Sequence, residues 1–187
     1  MPIPLKPFYM MRHGESTANR DGYFSGNQDV ALTEKGIAQA QKAQHAFTKL
    51  PIKPDLIVHS HLSRARDTAF HLNKPYGLPM VENPNLGEHG FGDWEKQSWE
   101  AVRERFYAGE DPPNGETNRE FLKRIKKGFN EALSMRETVL IVCHGGIFRG
   151  FRALYGMQDQ ITDNAKLYHF DPCRETPDFP WKITLIE

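Results

Sequence analysis

Arg12 and His13 close a short apolar run at residues 8–11, and Gly14 follows at once. A second apolar run, 55–58, leads through HSHLSRARDTA to Arg64, and a third, 138–142, leads to His144, Gly145 and Gly146. Glu88 comes shortly after a weaker extended run at 80–82. In open α/β sheets ligands collect outside the carboxyl ends of the strands, so these residues would share one edge. Two guanidiniums, two imidazoles and a carboxylate suit a compact anion with several oxygens, and phosphate fits best. Arginine offers a planar fork of donors, and histidine adds a group whose charge can be tuned. The glycines after His144 open a helical pattern, GGIFRGFRALY, whose first N–H groups are free to hold an anion.

Each of these residues also has an ordinary structural reading. A histidine after a strand is commonly a hydrogen-bonded structural side chain, Arg12 alone a surface cation, Gly145-Gly146 a turn, and Glu88 a solvated carboxylate. Their joint arrival at strand ends carries the functional reading. HSH at 59–61 invites a metal, but no third ligand is evident, so no metal is expected. GEHGFG has the wrong glycine order for a dinucleotide site. Lys123, Arg124, Lys126 and Lys127 read as the wet side of a helix.

The elements that must position this set are readable from period and punctuation. Residues 8–11, 55–58, 138–142 and 181–186 form the clearest strands, with weaker ones at 80–82 and 166–171. Thr33 reads as an N-cap with Leu32 and Ile37 as a hydrophobic staple, and Ile37, Ala40, Phe47 and Leu50 form one apolar face. Gly36 weakens that helix. TNRE at 117–120 is a capping box before a stripe of Phe121, Ile125, Phe129 and Leu133. Loops are expected at 73–79, 108–116 and 171–180. The segment after the second strand is expected to reach Arg64 as a loop. Strands alternating with helices predict an α/β fold, a three-layer α/β/α sandwich with a mostly parallel central sheet and a single domain over 1–187.

At 187 residues the chain can bury roughly 70% of its unfolded surface around one core. Lys plus Arg and Asp plus Glu balance at 24 each, which excludes a basic nucleic-acid footprint and leaves anion binding to a local cluster. Cys143 and Cys173 have no paired spacing and are expected as free thiols. Proline at 2, 4 and 7 and the lack of a long apolar run argue against a signal peptide or membrane span, so a cytoplasmic protein is expected.

MRHGES resembles the signature of the histidine phosphatase superfamily, the phosphoglycerate-mutase-like proteins. FSGNQDVALTEKGIAQA, SHLSRARDTA, LGEHGFGDWE, NGETNREFLKRI and VCHGG follow in the family's order. The resemblance implies that His13 is the nucleophile that becomes phosphorylated. It makes Arg12, Arg64 and His144 the rest of the phosphate pocket, and Glu88 the proton donor. Asn19, Ser25, Gly26 and Gly145 match substrate-facing positions. No cofactor is implied, and the expected partner is a small phosphate monoester, without nucleic acid or membrane. One departure follows DWE, where the family usually places glycine and this chain has Lys96. Phosphatases and mutases of the family share this pocket. The connection from Trp94 to Glu116 carries Lys96, Arg103 and Arg105 against Glu95, Glu100, Glu104, Glu110, Asp111 and Glu116, and is short for a mutase of the family. Its Trp94, Trp99, Phe106 and Tyr107 are candidates to wall the site, some of them at core spacing. A phosphatase is therefore expected, with a modest preference for small or partly apolar esters over polyanions. Mutase-type transfer and a non-catalytic phospho-ligand binder are the alternatives.

Overall fold

Phe8 and Met10 face one side of their strand, Tyr9 and Met11 the other, and all four are fully buried. A strand buried on both faces needs cover on both. The computed structural model describes residues 2–157, 162–173, 175 and 178–187. Among them a six-stranded sheet runs in the order β3-β2-β4-β1-β5-β6. The strands are β1 Phe8–Arg12, β2 Leu56–His59, β3 Met80–Glu82, β4 Val139–Cys143, β5 Leu167–Pro172 and β6 Trp181–Ile186. β1 to β4 pair in parallel, whereas β5 is antiparallel to both β1 and β6 and so runs alone against the rest. Two expected strand starts move inward by a residue, because Asp55 and Thr138 clasp each other just outside the ladder through N–H bonds of 2.8 and 3.1 Å.

Among the described residues there are six α-helices: α1 Thr17–Asp21, α2 Glu34–Thr48, α3 Ser63–Asn73, α4 Trp99–Tyr107, α5 Asn118–Leu133 and α6 Gly145–Ala153. α5 and α6 bury Phe121, Ile125, Phe129, Ile147 and Phe151 against the Phe8 and Met10 face. α2 and α3 bury Ala43, Phe47, Ala65, Ala69 and Leu72 against the Tyr9 and Met11 face. The result is the three-layer α/β/α arrangement that the alternation of strands and helices predicts. A smaller cluster of Phe24, Phe91, Trp94 and Val102, with Phe106 against it, lies beneath α4.

The Thr33 cap accepts the Gly36 N–H at 3.0 Å, and the Thr117–Glu120 capping box forms. The buried face of α2 runs through Gly36, Ala40, Ala43 and Phe47, with Ile37 only half-buried, so small residues rather than Ile37 set its approach. The segment around Arg64 is helix α3, not a loop. Its buried face mixes Arg64, Thr68 and Asn73 with Ala65, Ala69 and Leu72, which dilutes the apolar period that would mark a helix. The loop expected at 171–180 lies partly outside the described residues, at 174, 176 and 177, and β5 takes its first two positions. Both cysteines are free thiols, Cys143 buried at the end of β4. Among the described residues no helix is long and apolar enough to cross a membrane.

Candidate active site

β1 and β4 are neighbours, and the first helices after them that pack on the sheet, α2 and α6, lie on its opposite faces. The crevice between their carboxyl ends is a topological switch point, where α/β sheets bind ligands. Arg12 pairs with Cys143 in register, so His13 and His144 leave adjacent strands side by side, with ring centroids 5.2 Å apart. A cavity of about 490 Å³ opens there. Arg12, His13, Asn19, Ser25, Gly26, Arg64, Glu88 and Gly145 all line it. His144 is fully buried and is not on the wall, packing instead against His13.

His13 is 4% exposed, and its Nδ1 lies 2.7 Å from the Gly14 carbonyl oxygen. A carbonyl only accepts, so Nδ1 carries the proton and Nε2 of the neutral ring holds a lone pair. Burial, then Arg64 and Arg12, hold the His13 pKa well below its ordinary value, against the opposing pull of the Gly14 bond. The guanidiniums are themselves fixed by backbone carbonyls. Arg12 donates to Thr162 at 2.8 Å, and Arg64 donates to Gln28 and Gly26 at 2.8 Å each. Their Nε–H groups, and Nδ1 of His144, are buried without a hydrogen-bond partner among the described residues. Buried donors are rarely left unmade, and an oxyanion in the cavity is the kind of partner that guanidinium donors take.

Glu88 sits in the loop after β3 and takes two backbone N–H bonds, from His89 at 2.9 Å and from Gly146 at 3.1 Å. The second comes from the first turn of α6, where a carboxylate is favoured. A side chain at position 146 would collide with the Glu88 carboxylate, which explains the second glycine of HGG. Glu88 counteracts the burial-driven fall of both the Arg12 and the Arg64 pKa, which places its charge within reach of both guanidiniums.

Arg124 corrects the wet-side reading of its cluster. Lys123, Lys126 and Lys127 are exposed, but Arg124 is half-buried with its guanidinium over the Phe121 ring. Its Nε and Nη2 form a fork on Glu116, both at 2.7 Å, and Nη2 also donates to the Glu88 carbonyl at 3.0 Å. Nη1 donates to the carbonyls of Asn85 at 3.1 Å and Gly87 at 3.0 Å. All five guanidinium donors are thereby used on one loop and its anchor. Glu116 in turn accepts from Gly90 N–H at 3.3 Å, and the His89 ring, stacked on Phe121, donates to the Glu116 carbonyl at 2.6 Å.

Other supporting residues carry no sequence signal, because they act on backbone groups of distant segments. Thr68 on α3 accepts the Gly14 N–H at 2.9 Å and donates to the Arg64 carbonyl at 2.7 Å, tying two of the wall segments together. Asn164 donates to the His13 carbonyl at 2.8 Å and to Asn19 Oδ1 at 3.2 Å. Asn19 Oδ1 also accepts the Ser16 N–H, so both lone pairs of that oxygen are taken by the protein. Ser60 Oγ lies 2.7 Å from His144 Nε2. Arg149 on α6 lines the cavity with its guanidinium over the Phe106 ring. Its spacing from Gly146, one turn along the helix, was the available clue. Lys96 keeps the turn that the glycine would make, at φ 68°, and its N–H donates to the Phe24 carbonyl at 2.8 Å. Of the aromatic residues after Glu88, Trp94 belongs to the core, whereas Trp99 and Tyr107 line the cavity.

Residues 8–177 match the family described as histidine phosphatase superfamily (branch 1). The chain is 33% identical over 156 residues to an adenosylcobalamin/alpha-ribazole phosphatase of Salmonella typhimurium, covering 74% of each chain. It is 31% identical over 190 residues to a 2,3-bisphosphoglycerate-dependent phosphoglycerate mutase of Bartonella tribocorum, covering 87% of this chain and 91% of that one. Its fold superposes on a solved phosphoglycerate mutase of Thermus thermophilus with a TM-score of 0.75 at 27% identity, over 97% and 98% of the two chains. With the motif residues gathered at one crevice and the match running through nearly the whole length, the chain belongs to branch 1 of the histidine phosphatase superfamily.

Proposed function

We propose that the protein is a phosphatase that hydrolyses phosphate monoesters through a phosphohistidine on His13. The observation that carries this reading is the buried neutral imidazole, held through Nδ1 by the Gly14 carbonyl between two arginines with unmade Nε donors. Nε2 attacks phosphorus and the ester oxygen leaves, taking a proton from the Glu88 carboxyl group. Arg12 and Arg64 hold the phosphoryl oxygens as charge spreads over them, with His144 beside the nucleophile. Glu88 then takes a proton from water as it attacks the phosphohistidine, releasing inorganic phosphate and restoring His13. The bonds of Glu88 to the His89 and Gly146 amides support its placement in this role, since they hold the carboxyl group at the cavity on a fixed loop.

His13→Ala is expected to lower turnover by at least a thousand-fold, in line with the loss of a covalent nucleophile. Wild-type protein quenched during turnover should carry phosphate that is labile in acid and stable in alkali. Full activity in the alanine variant would refute the mechanism. Arg149, a third cation on the wall, favours a second reading, mutase-type transfer between two phosphate positions. Incubation with 3-phosphoglycerate and a trace of bisphosphate separates the two. Hydrolysis yields inorganic phosphate, and transfer yields the 2-isomer.

A further inference from the structure

Trp99 and Tyr107 are 37% and 61% exposed, unusually open for large aromatic side chains, and both stand on the cavity wall. They lie at the two ends of α4, ring centroids 5.8 Å apart and nearly perpendicular. Trp99 also packs on Phe24 at 4.8 Å, Phe24 packs on Phe91 at 4.6 Å, and both line the same cavity as His13. The cavity joins the guanidiniums of Arg12 and Arg64 and the buried His13 ring to the more exposed Trp99 and Tyr107.

We propose that this aromatic shelf is the subsite for the alcohol half of the substrate, and that it selects a planar, uncharged, apolar group carrying a single phosphate. The inference rests on the phosphatase reading and names its substrate class. With the phosphoryl group against Arg12 and Arg64, the ester oxygen faces Glu88 and the rest of the molecule extends along Phe24 toward Trp99 and Tyr107. Flat rings gain from edge and offset contacts with such side chains, and an apolar group leaves no buried polar atom unpaired against them. A second phosphate in that place would give up water against the ring faces of Phe24, Phe91, Trp99 and Tyr107, which offer it no hydrogen bond. Arg149 borders the shelf, its guanidinium over the Phe106 ring that packs on Trp99 and Tyr107, and the Glu88 carboxylate beside it offsets its charge.

The test compares esters whose alcohols ionise alike, so that leaving-group chemistry is equal: 2-naphthylmethyl phosphate, propyl phosphate and 3-phosphoglycerate. The wild-type enzyme should prefer the naphthylmethyl ester over propyl phosphate by at least ~10-fold in kcat/KM, the size expected of one or two ring contacts. 3-Phosphoglycerate should be the poorest. Trp99→Ala and Tyr107→Ala should each shrink the naphthylmethyl-to-propyl ratio at least three-fold, chiefly through KM. Because Tyr107 is the more exposed, its variant tests the shelf even where Trp99→Ala weakens the fold. A ratio near one in wild type, a ratio that neither variant changes, or 3-phosphoglycerate as the best substrate would overturn the proposal while leaving the phosphatase intact. No turnover of any ester and no phosphohistidine would sink the phosphatase reading, and this one with it.

Discussion

His13 and His144 are imidazoles that folding takes out of water and sets near guanidiniums, so burial first and Arg64 next push both pKa values well below the ordinary one. In the unfolded chain each titrates near 6.5. Below that pH the unfolded state binds the additional protons, so native stability is complete above about 6.5 and falls as the pH drops. Each group contributes a slope of up to about 1.4 kcal/mol per pH unit, and the pair about twice that. His89 and His169 are shifted downward too and act in the same direction. Urea midpoints at pH 5 and 7.5 should differ accordingly, and by less in His13→Ala; equal midpoints would contradict the buried neutral rings. Lys96 is a second residue with a measurable cost. A left-handed backbone without glycine costs roughly 1 to 2 kcal/mol, partly offset by the chain entropy that glycine adds to the unfolded state. Lys96→Gly should therefore stabilise the protein by about 0.5 to 1 kcal/mol, raising Tm by roughly 2 °C in calorimetry.

Among the elements, the loop from Asn85 to Gly90 has only a three-residue strand before it, yet it must hold Glu88 still. Its rigidity comes from α5, through Arg124 and Glu116, about a quarter or less of each side chain being exposed. Removing one partner of such a pair leaves the other charge unpaired and the loop carbonyls without donors. Lysine keeps the charge but cannot make the fork. Arg124→Lys should therefore cut kcat/KM for an alkyl phosphate at least ten-fold relative to 2,4-dinitrophenyl phosphate, whose leaving group needs no proton. Plain loss of folded protein would lower both rates alike, and that outcome would deny Arg124 a part in placing Glu88.

Across the whole molecule, what could be read in the chain was local. The unbroken apolar run at residues 8–11, the two helix caps and the 3.6-residue stripe of α5 describe elements that announce themselves within one window. The strand-end rule then gathered Arg12, His13, Arg64 and Glu88 on one wall. What escaped belongs to pairs distant in sequence. Thr68 finds Gly14, Asn164 finds the His13 carbonyl and Arg124 finds the loop of Glu88, each through main-chain atoms that have no residue-specific imprint. Helix α3 escaped because the crevice demanded polar residues on its buried side.

Gly36 shows what such distant contact means for anyone altering the protein. Read along its helix, it is a flaw that alanine would mend by up to about 1 kcal/mol. Yet a methyl group there would strike the Glu15 carbonyl, and one on Gly14 would strike the Gly36 carbonyl, so the two backbones touch where the His13 segment turns. Gly36→Ala should instead cost about 1 to 3 kcal/mol and reduce turnover as well, measured by melting and by rate on the same sample. A thermostabilisation campaign that replaced helical glycines by rule would weaken this protein at its second helix, far in sequence from the His13 turn it disturbs.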